Sequence, residues 1–367
     1  MRNKLSVASF LIWGLIALLL LGVLVSGLTG RLHINSIIGS RYSAEMDLLR
    51  EGRFPAGDVT NLDISCAYED IRVKLVEGDT VTVRQYGDSS RDLPFEDGKK
   101  AVDGGYQLKI EVPHKTLDFS FGLFRGPYLE VELPSGYGNN LSLSAVSGNV
   151  DFPEGYSGKA LSISNSSGDV TLGAGSPDSL TISTVSGNIN LGDAVVAGDT
   201  KISSMSGDIR AADISARNAN LKSTSGNVGF GELTAGIRAD ISTMSGDMRG
   251  GALKGAEFDC GSVSGNMTLD KALSGGGRLH TSSGNVAANG VIIDGALAVN
   301  TVSGNVRLSL GPSQGCDLKF STVSGNLRSS APLLYTDKNG KNATAAIGGG
   351  GPPLTISTTS GDATLDT

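Results

Sequence analysis

A tripeptide, Ser-Gly-Asn or Ser-Gly-Asp, recurs eleven times between Ser147 and Asp362 and constrains the fold of most of this chain. The first nine spacings between its glycines are 19, 20 or 21 residues. A fixed period of this size predicts a stack of repeated supersecondary units. The motif glycines are Gly148, Gly168, Gly187, Gly207, Gly226, Gly246, Gly265, Gly284, Gly304, Gly325 and Gly361.

Two apolar columns accompany the tripeptide. The residue five positions before each glycine and the residue two positions after it are apolar in every repeat. Apolar and polar residues alternate around them, as in the segment from Leu180 to Thr184, which is the pattern of a strand with one buried face. The two columns are an odd number of residues apart, so in one continuous strand they would point to opposite faces. Each repeat is therefore predicted to hold two short strands with a corner at the tripeptide.

The corner explains the glycine of the motif. We expect positive φ at these turn glycines, because glycine adopts that conformation at little steric cost. Calcium binding by the motif aspartates is the functional alternative. It is disfavoured because Asp169, Asp208 and Asp247 alternate with asparagines, which would hold the carboxylates almost 10 Å apart at about 4.8 Å per coil. The glycine-rich nonapeptide of calcium-binding β-rolls is also missing from the sequence.

Two architectures fit a repeat of this kind. Antiparallel hairpins that turn at the tripeptide would build a sandwich, whereas one repeat per turn would build a parallel β-helix. Like residues at like positions favour the β-helix, because parallel stacking in register places them on one another. The predicted fold class is all-β, a parallel β-helix of about 20-residue coils, preceded by one N-terminal transmembrane helix.

The start of the chain supplies the pattern of that helix. The basic residues Arg2 and Lys4 precede a run from Leu5 to Leu28 that contains no charged residue. In a helix, a run of this length covers the roughly 30 Å of hydrocarbon in a bilayer. The basic start predicts a cytoplasmic amino end. A cleavable signal peptide that ends near Val25-Ser26-Gly27 is the alternative.

These patterns divide the chain into four segments. Residues 1–28 are predicted as a cytoplasmic start with a transmembrane signal-anchor, and residues 29–57 as a juxtamembrane spacer. Residues 58–140 carry the strand pattern in degenerate form and are predicted to cap the stack, as atypical terminal repeats do in solenoids. Residues 141–367 form the regular β-helix, with a flexible insertion at 331–353 where the period breaks.

The strand pattern resembles a bacterial putative-adhesin family of β-strand-repeat domains of unknown function. Its members share an L-x-V-x-L-P strand, which Leu129 to Pro134 match, and L-x-I-x-T-x-S-G-D/N-V/I-x-L units, which Leu180 to Leu191 match. The resemblance covers residues 58 to 367. It implies a surface-facing β-helical module, ties some members to envelope-stress responses and supplies no catalytic residues.

Seven serines form a candidate binding face. They stand four positions before the motif glycine, where the side chain is predicted to point outward. A flat face of small, uncharged hydroxyls is suited to docking a glycan or another surface. The alternative is that small serines simply fit a crowded sheet. The serines are Ser144, Ser164, Ser183, Ser203, Ser242, Ser321 and Ser357.

The titratable residues suggest neither catalysis nor a cofactor or metal site. The histidines show no paired spacing typical of metal ligands, and the cysteines are predicted to be buried and unpaired. These residues are His33, His114, His280, Cys66, Cys260 and Cys316. Four arginines stand three positions after the motif glycine and are interpreted as solvent-exposed surface charges. Only the last two are expected on adjacent coils. The four are Arg210, Arg249, Arg307 and Arg328.

The predicted function is a membrane-anchored, surface-facing, non-enzymatic, adhesin-like binding or scaffold module of the bacterial cell envelope. Its repeat domain is expected outside the cytoplasm on a single-pass membrane protein, with a cell-wall glycan or another envelope protein as partner. A net charge of -7 and a pI near 5.1 argue against nucleic acid. Two alternatives stay open: a polysaccharide-active β-helix enzyme, which needs clustered acids, and a self-assembling β-helix like the cytoplasmic bactofilins.

Overall fold

A computed structural model describes residues 46–89, 92–113, 126–339 and 341–367. In this part of the chain the fold is all-β, with 27 strands and one 3-10 turn, Ala56–Asp58. None of its elements is a helix long and apolar enough to cross a membrane. The β part of the predicted fold class agrees with the structure, but the class that included a transmembrane helix is corrected to all-β. The segment from Leu5 to Leu28 lies outside the described residues.

The strands follow one another along the compact unit Asp47–Thr367. Those of its first half are β1 Asp47–Pro55, β2 Val59–Cys66, β3 Asp70–Val76, β4 Thr80–Gly87, β5 Glu96–Val102, β6 Gly105–Glu111, β7 Tyr128–Pro134, β8 Asn140–Ala145, β9 Val150–Phe152, β10 Ala160–Asn165, β11 Val170–Leu172, β12 Ser179–Thr184, β13 Ile189–Leu191 and β14 Ala194–Ser204. Those of its second half are β15 Ile209–Ala211, β16 Ile214–Ser223, β17 Val228–Thr243, β18 Met248–Ser262, β19 Met267–Ser283, β20 Val286–Ser303, β21 Val306–Leu310, β22 Cys316–Ser324, β23 Leu327–Ser329, β24 Leu334–Asn339, β25 Asn342–Ile347, β26 Pro353–Ser360 and β27 Ala363–Asp366.

Successive repeats stack in parallel and in register. β8, β10, β12 and β14 pair side by side before the motif, with Ile163 opposite both Leu143 and Ile182. β9, β11, β13 and β15 do the same after the motif. Each repeat is thus one coil, whose first side ends shortly before the tripeptide and whose second side begins two residues after the glycine. This parallel register excludes the sandwich of antiparallel hairpins.

The two apolar columns form the core of the stack. All eleven side chains five positions before the glycine are buried, from Leu143 on the first regular coil to Ile356 on the last. Those two positions after it are buried in ten coils, and Leu327 is partly buried. Because both columns face the same interior, the corner at the tripeptide follows from the burial of apolar surface.

A third side, which the sequence reasoning missed, appears from β14 onward. In β17, residues 228–230 lie on the second side, 232–235 on a third side and 238–243 on the first side of the next coil. Leu233 and Ala235 bury their side chains from this third side. The sequence signal was present, because apolar and polar residues alternate there as well.

The amino end of the stack does not follow the order of the sequence. On the first side the strand order is β6, β2, β8 and β10, and on the second side it is β7, β3, β9 and β11. The coil of β6 and β7 is therefore the outermost parallel coil at this end, and the coil of β2 and β3 lies between it and the first regular coil. Antiparallel strands pair outside them, β5 on β6, β4 on β7 and β1 on β4. β1 falls within the segment that was predicted as a spacer.

The carboxyl end shows the same inversion. β26 lies between β20 and β22, and β27 lies between β21 and β23, so the last coil of the chain is the second-to-last coil of the stack. The segment predicted as a flexible insertion contains β24 and β25, which pair with each other and, through β25, with the outer edge of β22.

Four consecutive glycines carry the chain back into the stack. All four, Gly348 to Gly351, have positive φ, a conformation that other residues rarely adopt. A Cβ added to Gly351 would lie 2.7 Å from the carbonyl oxygen of Gly315, just before β22. The loop therefore needs glycine both for its conformation and for its close approach to the coil around which it turns.

Candidate functional site

The motif glycines lie in the turns between the first and second sides, but their φ angles differ from the expectation. None of the eleven has a positive φ. Their common property is close stacking: a Cβ on Gly226 would lie 2.1 Å from the carbonyl oxygen of Gly207, one coil earlier. The same contact, from 1.8 to 2.2 Å, recurs at the other motif glycines, where Glu69 supplies the oxygen beneath Gly148. Glycine is required there because the backbones of successive turns are in contact.

A buried polar column three positions before the glycine supports this turn. The Ser223 hydroxyl donates a hydrogen bond of 3.0 Å to the Gly207 carbonyl and accepts one of 2.9 Å from the Gly226 amide. Ser204 makes the equivalent pair of bonds. Buried hydroxyl and amide side chains occupy this position in ten coils, and Ala145 occupies it in the first regular coil. Sequence reasoning missed this column, although Ser or Thr recurs there.

The asparagines and aspartates of the motif form a ladder along the surface. The side-chain oxygen of each accepts a hydrogen bond from the backbone amide of its counterpart on the next coil, as Asp208 does from Asn227 at 2.8 Å. The bonds continue from Asp70 to Asn326 with lengths of 2.8 to 3.1 Å. In the order of the stack no two aspartates are neighbours. The ladder accounts for the motif without calcium, and the described residues contain no cluster of acidic, His or Cys side chains suited to a metal ion.

The seven predicted serines lie in one column on the outer surface of the first side. Ser144, Ser164, Ser183 and Ser203 are consecutive neighbours, and Ser357 pairs with Ser321 at the carboxyl end. Between these runs stand Lys222, Ser242, Gly261, His280 and Asn300. Ser65 extends the column at the amino end. Ser144 and Ser164 are exposed and the other five predicted serines are half-buried.

An exposed apolar ridge runs beside the serine column, two positions before the motif glycine, and sequence reasoning missed it. Backbone hydrogen bonds continue the stacking through this part of the turn, as from the Ser225 amide to the Met205 carbonyl at 3.0 Å. The exposed fraction of the ridge residues ranges from 45% to 73%, although large apolar side chains usually prefer burial. The ridge consists of Val146, Val185, Met205, Met244, Val263, Val302 and Val323.

The serine column and the ridge enclose a shallow groove of about 540 Å³ near the middle of the stack. Ser183, Ser203, Lys222 and Ser242 form one wall, and Met205, Thr224, Met244 and Val263 form the other. The buried hydroxyl column, represented by Ser204 and Ser223, lies at its floor. The groove thus combines hydroxyl groups, apolar side chains and one ammonium group.

The charge of Lys222 is not balanced locally. Its neighbours in the column are Ser203 and Ser242, and Lys201 lies on the preceding coil, one outward position away. Nearby arginines are paired with carboxylates, such as Arg210 with Asp208 and Arg238 with Asp240. Within the described part of the chain, neither lysine takes part in an ion pair of this kind.

An ion-pair cluster lies next to the groove on the same side of the stack. Asp259 lies 2.6 Å from Arg278, 3.8 Å from Arg238 and 3.3 Å from Nδ1 of His280. The Arg278 guanidinium, which hydrogen-bonds to Asp259, holds the pKa of that carboxyl below its usual range. The His280 ring covers Gly261, where an added Cβ would lie 2.4 Å from the imidazole. Asp259 and Arg278 pair with each other, and the cluster lies beside Gly261, the neighbour of Ser242 in the serine column.

The four arginines after the motif glycine do not form a site. Arg210, Arg249, Arg307 and Arg328 each lie within 3.9 Å of an aspartate. The expectation that Arg307 and Arg328 lie on adjacent coils is wrong, because Thr364 of the inserted strand lies between them.

The three cysteines are buried and unpaired, as predicted. Burial raises the pKa of the Cys316 thiol to about 11 and also raises the pKa values of Cys66 and Cys260. Thiolate is the reactive form, so these are unreactive thiols at neutral pH. His280 belongs to the ion-pair cluster, whereas His33 and His114 lie outside the described residues.

Comparison with solved structures gives distant similarities. A putative adhesin from Parabacteroides distasonis ATCC 8503 is 13% identical over 86% of this chain and 96% of its own, with a TM-score of 0.38. A putative lipid binding protein from the same organism is 13% identical over 87% and 96%, with a TM-score of 0.33. A putative cell adhesion protein from Clostridium sporogenes ATCC 15579 is 10% identical over 86% and 98%, with a TM-score of 0.20.

A comparison with protein families gives a more specific result. No curated protein matched the chain. The family model described as Toastrack DUF4097 matches residues 59–176 and 170–366, which together include both inverted ends and all regular coils. The resemblance to a family of unknown function is confirmed in this form, and the chain belongs to the Toastrack DUF4097 family.

Proposed function

We propose that this chain is a non-enzymatic binding module of the bacterial cell envelope and that it binds an anionic glycan along the serine column. The observation that carries the proposal is the groove in which unpaired Lys222 lies between serine hydroxyls and the apolar ridge. Each component matches a part of such a ligand: hydroxyls bond to sugar hydroxyls, Val and Met contact the C–H faces of the rings, and the ammonium attracts a carboxylate or phosphate.

The repetition of the surface supports a polymeric ligand. The same outward positions return on every coil, at about 4.8 Å per step. A chain molecule with its own repeat can contact several coils at once, and many weak contacts then add to a useful avidity. The protein carries a net charge of -7, so unpaired lysines on this surface favour an anion at a defined place.

The proposal is tested by binding of the full chain to two soluble glycans, carboxylated polygalacturonate and neutral dextran, measured by isothermal titration calorimetry. We expect tighter binding of polygalacturonate, with an affinity that falls as salt is added. Lys222→Ala should weaken it by up to about fivefold, since an exposed ionic contact contributes about 0.2–1 kcal/mol. Lys271→Ala, which removes an exposed lysine away from the groove, is the matched control.

The same incubation separates binding from catalysis. Formation of unsaturated or shortened sugars would favour the polysaccharide-active enzyme and contradict the non-enzymatic proposal. Equal affinity for both glycans, or equal losses in the two lysine variants, would contradict the groove as the anion site.

Self-assembly like that of bactofilins is the second candidate, and the ends of the stack count against it. Antiparallel strands β5 and β24 pair outside the parallel coils on the first side. β5 presents Glu96, Lys99 and Lys100 at the outer edge, and charged edge strands resist pairing with another sheet.

The location outside the cytoplasm and the role in envelope stress are part of this proposal. Both rest on the sequence and on the resemblance. Protease added to intact cells should digest residues 58 to 367 if the repeat domain faces outward, and complete protection of that region would contradict this location.

A further inference from the structure

The last coil of the chain occupies a slot between two coils that precede it in sequence. On one side β26 pairs with β20, where Asn300 lies opposite Ser357, and on the other it pairs with β22, where Ser321 lies opposite the same residue. β27 is enclosed in the same way by β21 and β23. The coil of β22 and β23 is followed in the chain by 23 residues before β26 begins. The slot is therefore filled by the last segment of the chain.

The coils on either side of the slot are compatible with direct stacking. The coil of β22 and β23 carries the same pattern of residues as the inserted coil, with Thr322 and Gly325 at the positions of Thr358 and Gly361. Both patterns match that of β20 and β21, so the surface next to the slot accepts either coil. During synthesis the coil of β22 and β23 is made before β26, so it can reach the coil of β20 and β21 first. Insertion of β26 and β27 therefore separates two surfaces that fit each other.

The buried hydroxyl column is weakest on both sides of the inserted coil. Thr301 and Thr281 bond to the preceding glycine carbonyls at 3.2 and 3.1 Å. The corresponding bond from Thr358 to Gly304 is 3.5 Å long. On the other side, Thr322 Oγ1 is buried and has no hydrogen-bond partner in the described part of the chain. Buried hydroxyls without partners are costly, so the hydroxyl column holds the inserted coil less firmly than the regular coils, although the Asn and Asp ladder continues through it at 2.8 and 2.9 Å.

We infer that β26 and β27 form an exchangeable segment and that the slot also accepts this segment from a second copy of the chain. The second copy is the appropriate partner because it supplies the same residues in the same register. The four-glycine loop before β26 permits many conformations and so allows the segment to leave its own stack. Exchange of identical elements between copies is the route by which domain-swapped dimers form.

Disulfide trapping between two full-length variants tests this inference. Asn300→Cys is placed in one population and Ser357→Cys in another, and the two are mixed and oxidised. The positions are neighbours across β20 and β26, about 4.8 Å apart in parallel strands, which suits a disulfide. Since each chain carries one of the two cysteines, a heterodimer in excess of random collision forms only if β26 of one chain lies against β20 of the other. We expect this dimer to accumulate over time.

Two controls make the outcome decisive. A chain with both substitutions should close an internal disulfide and stop exchanging. Asn300→Cys mixed with Ser144→Cys measures random collision, because Ser144 lies on a distant coil of the same column. A dimer yield no greater than this collision control, at positions that the double variant shows to be within disulfide reach, would overturn the inference. The native cysteines are buried and contribute little background.

Discussion

The Ser223 hydroxyl bonds to the Gly207 carbonyl at 3.0 Å and so connects two coils from inside the stack. Gly226, on the coil of Ser223, lies against the same carbonyl, which leaves no room for a side chain. The motif therefore combines a turn residue without Cβ and a buried hydroxyl that satisfies the polar groups of two turns. Both requirements come from contact between coils.

The first prediction concerns this contact. Gly226→Ala should destabilise the protein by about 1–3 kcal/mol or more, because its Cβ would lie 2.1 Å from a backbone oxygen that cannot move independently. Gly229→Ala, three residues later, is the control, since its Cβ would have 3.8 Å of space. Urea unfolding of both variants provides the measurement. Equal losses would contradict close stacking as the reason for the motif glycine.

The second prediction compares two threonines of the buried hydroxyl column. Thr243→Val should lower the free energy of unfolding by about 1–2 kcal/mol, because it removes a bond of 2.8 Å to the Gly226 carbonyl. Thr322→Val should leave stability unchanged or raise it, because the Thr322 hydroxyl is buried without a partner in the described residues. The two substitutions change the same side chain at similarly buried positions. A similar loss of stability in both variants would therefore contradict the proposed difference in hydrogen bonding.

The regular coils were predictable from sequence because each coil buries the same apolar positions and turns at the same motif. The apolar column that includes Ile182 and the turn at Gly187 return at a nearly constant spacing, and parallel stacking follows from that repetition. The reason for glycine was misjudged. A single repeat shows that a corner is needed, whereas the oxygen of Gly168 beneath Gly187 becomes visible only when the coils are stacked.

The ends and the groove were less predictable for a different reason. Strands such as β22 and β26 carry the same pattern, so the sequence does not say which of them lies against β20. The serine column was found because Ser recurs there. The apolar ridge was missed because Ser166 and Thr224 interrupt it on either side of Val185 and Met205, and exposed apolar residues resemble the buried columns in composition.

The third prediction concerns charge in the Asn and Asp ladder. Asn227→Asp would place a third carboxylate between Asp208 and Asp247, whereas Asn285→Asp would lie between Asn266 and Asn305. Adjacent carboxylates raise the pKa of one another in the folded state, so the added cost appears as pH rises. We expect Asn227→Asp to be the less stable variant at pH 7 by about 0.5 kcal/mol. The difference should vanish below the usual carboxyl pKa of about 4.

The fourth prediction uses the lowered pKa of Asp259. A carboxyl whose folded pKa is depressed contributes stability above its unfolded pKa of about 3.9 and loses it as pH falls through the folded value. Asp259→Asn should therefore reduce stability at pH 7 and flatten its decline as the pH falls below about 4. Unfolding measured from pH 7 into the acid range provides the check. Parallel pH curves for the variant and the parent would show that Arg278 does not stabilise the charged form.

The last prediction links the buried thiols to the ends of the stack. Cys260 lies in the middle of the stack, whereas Cys316 begins β22, next to the inserted coil and the four-glycine loop. Burial raises the pKa of both thiols, so neither should react with a thiol reagent at pH 8 while the coils stay closed. In mild denaturant, local opening precedes global unfolding where contacts are fewest. We expect Cys316 to be modified before Cys260, as read by mass spectrometry of the labelled peptides. Earlier modification of Cys260 would mean that the middle of the stack opens first and that the inserted coil is not its weakest part.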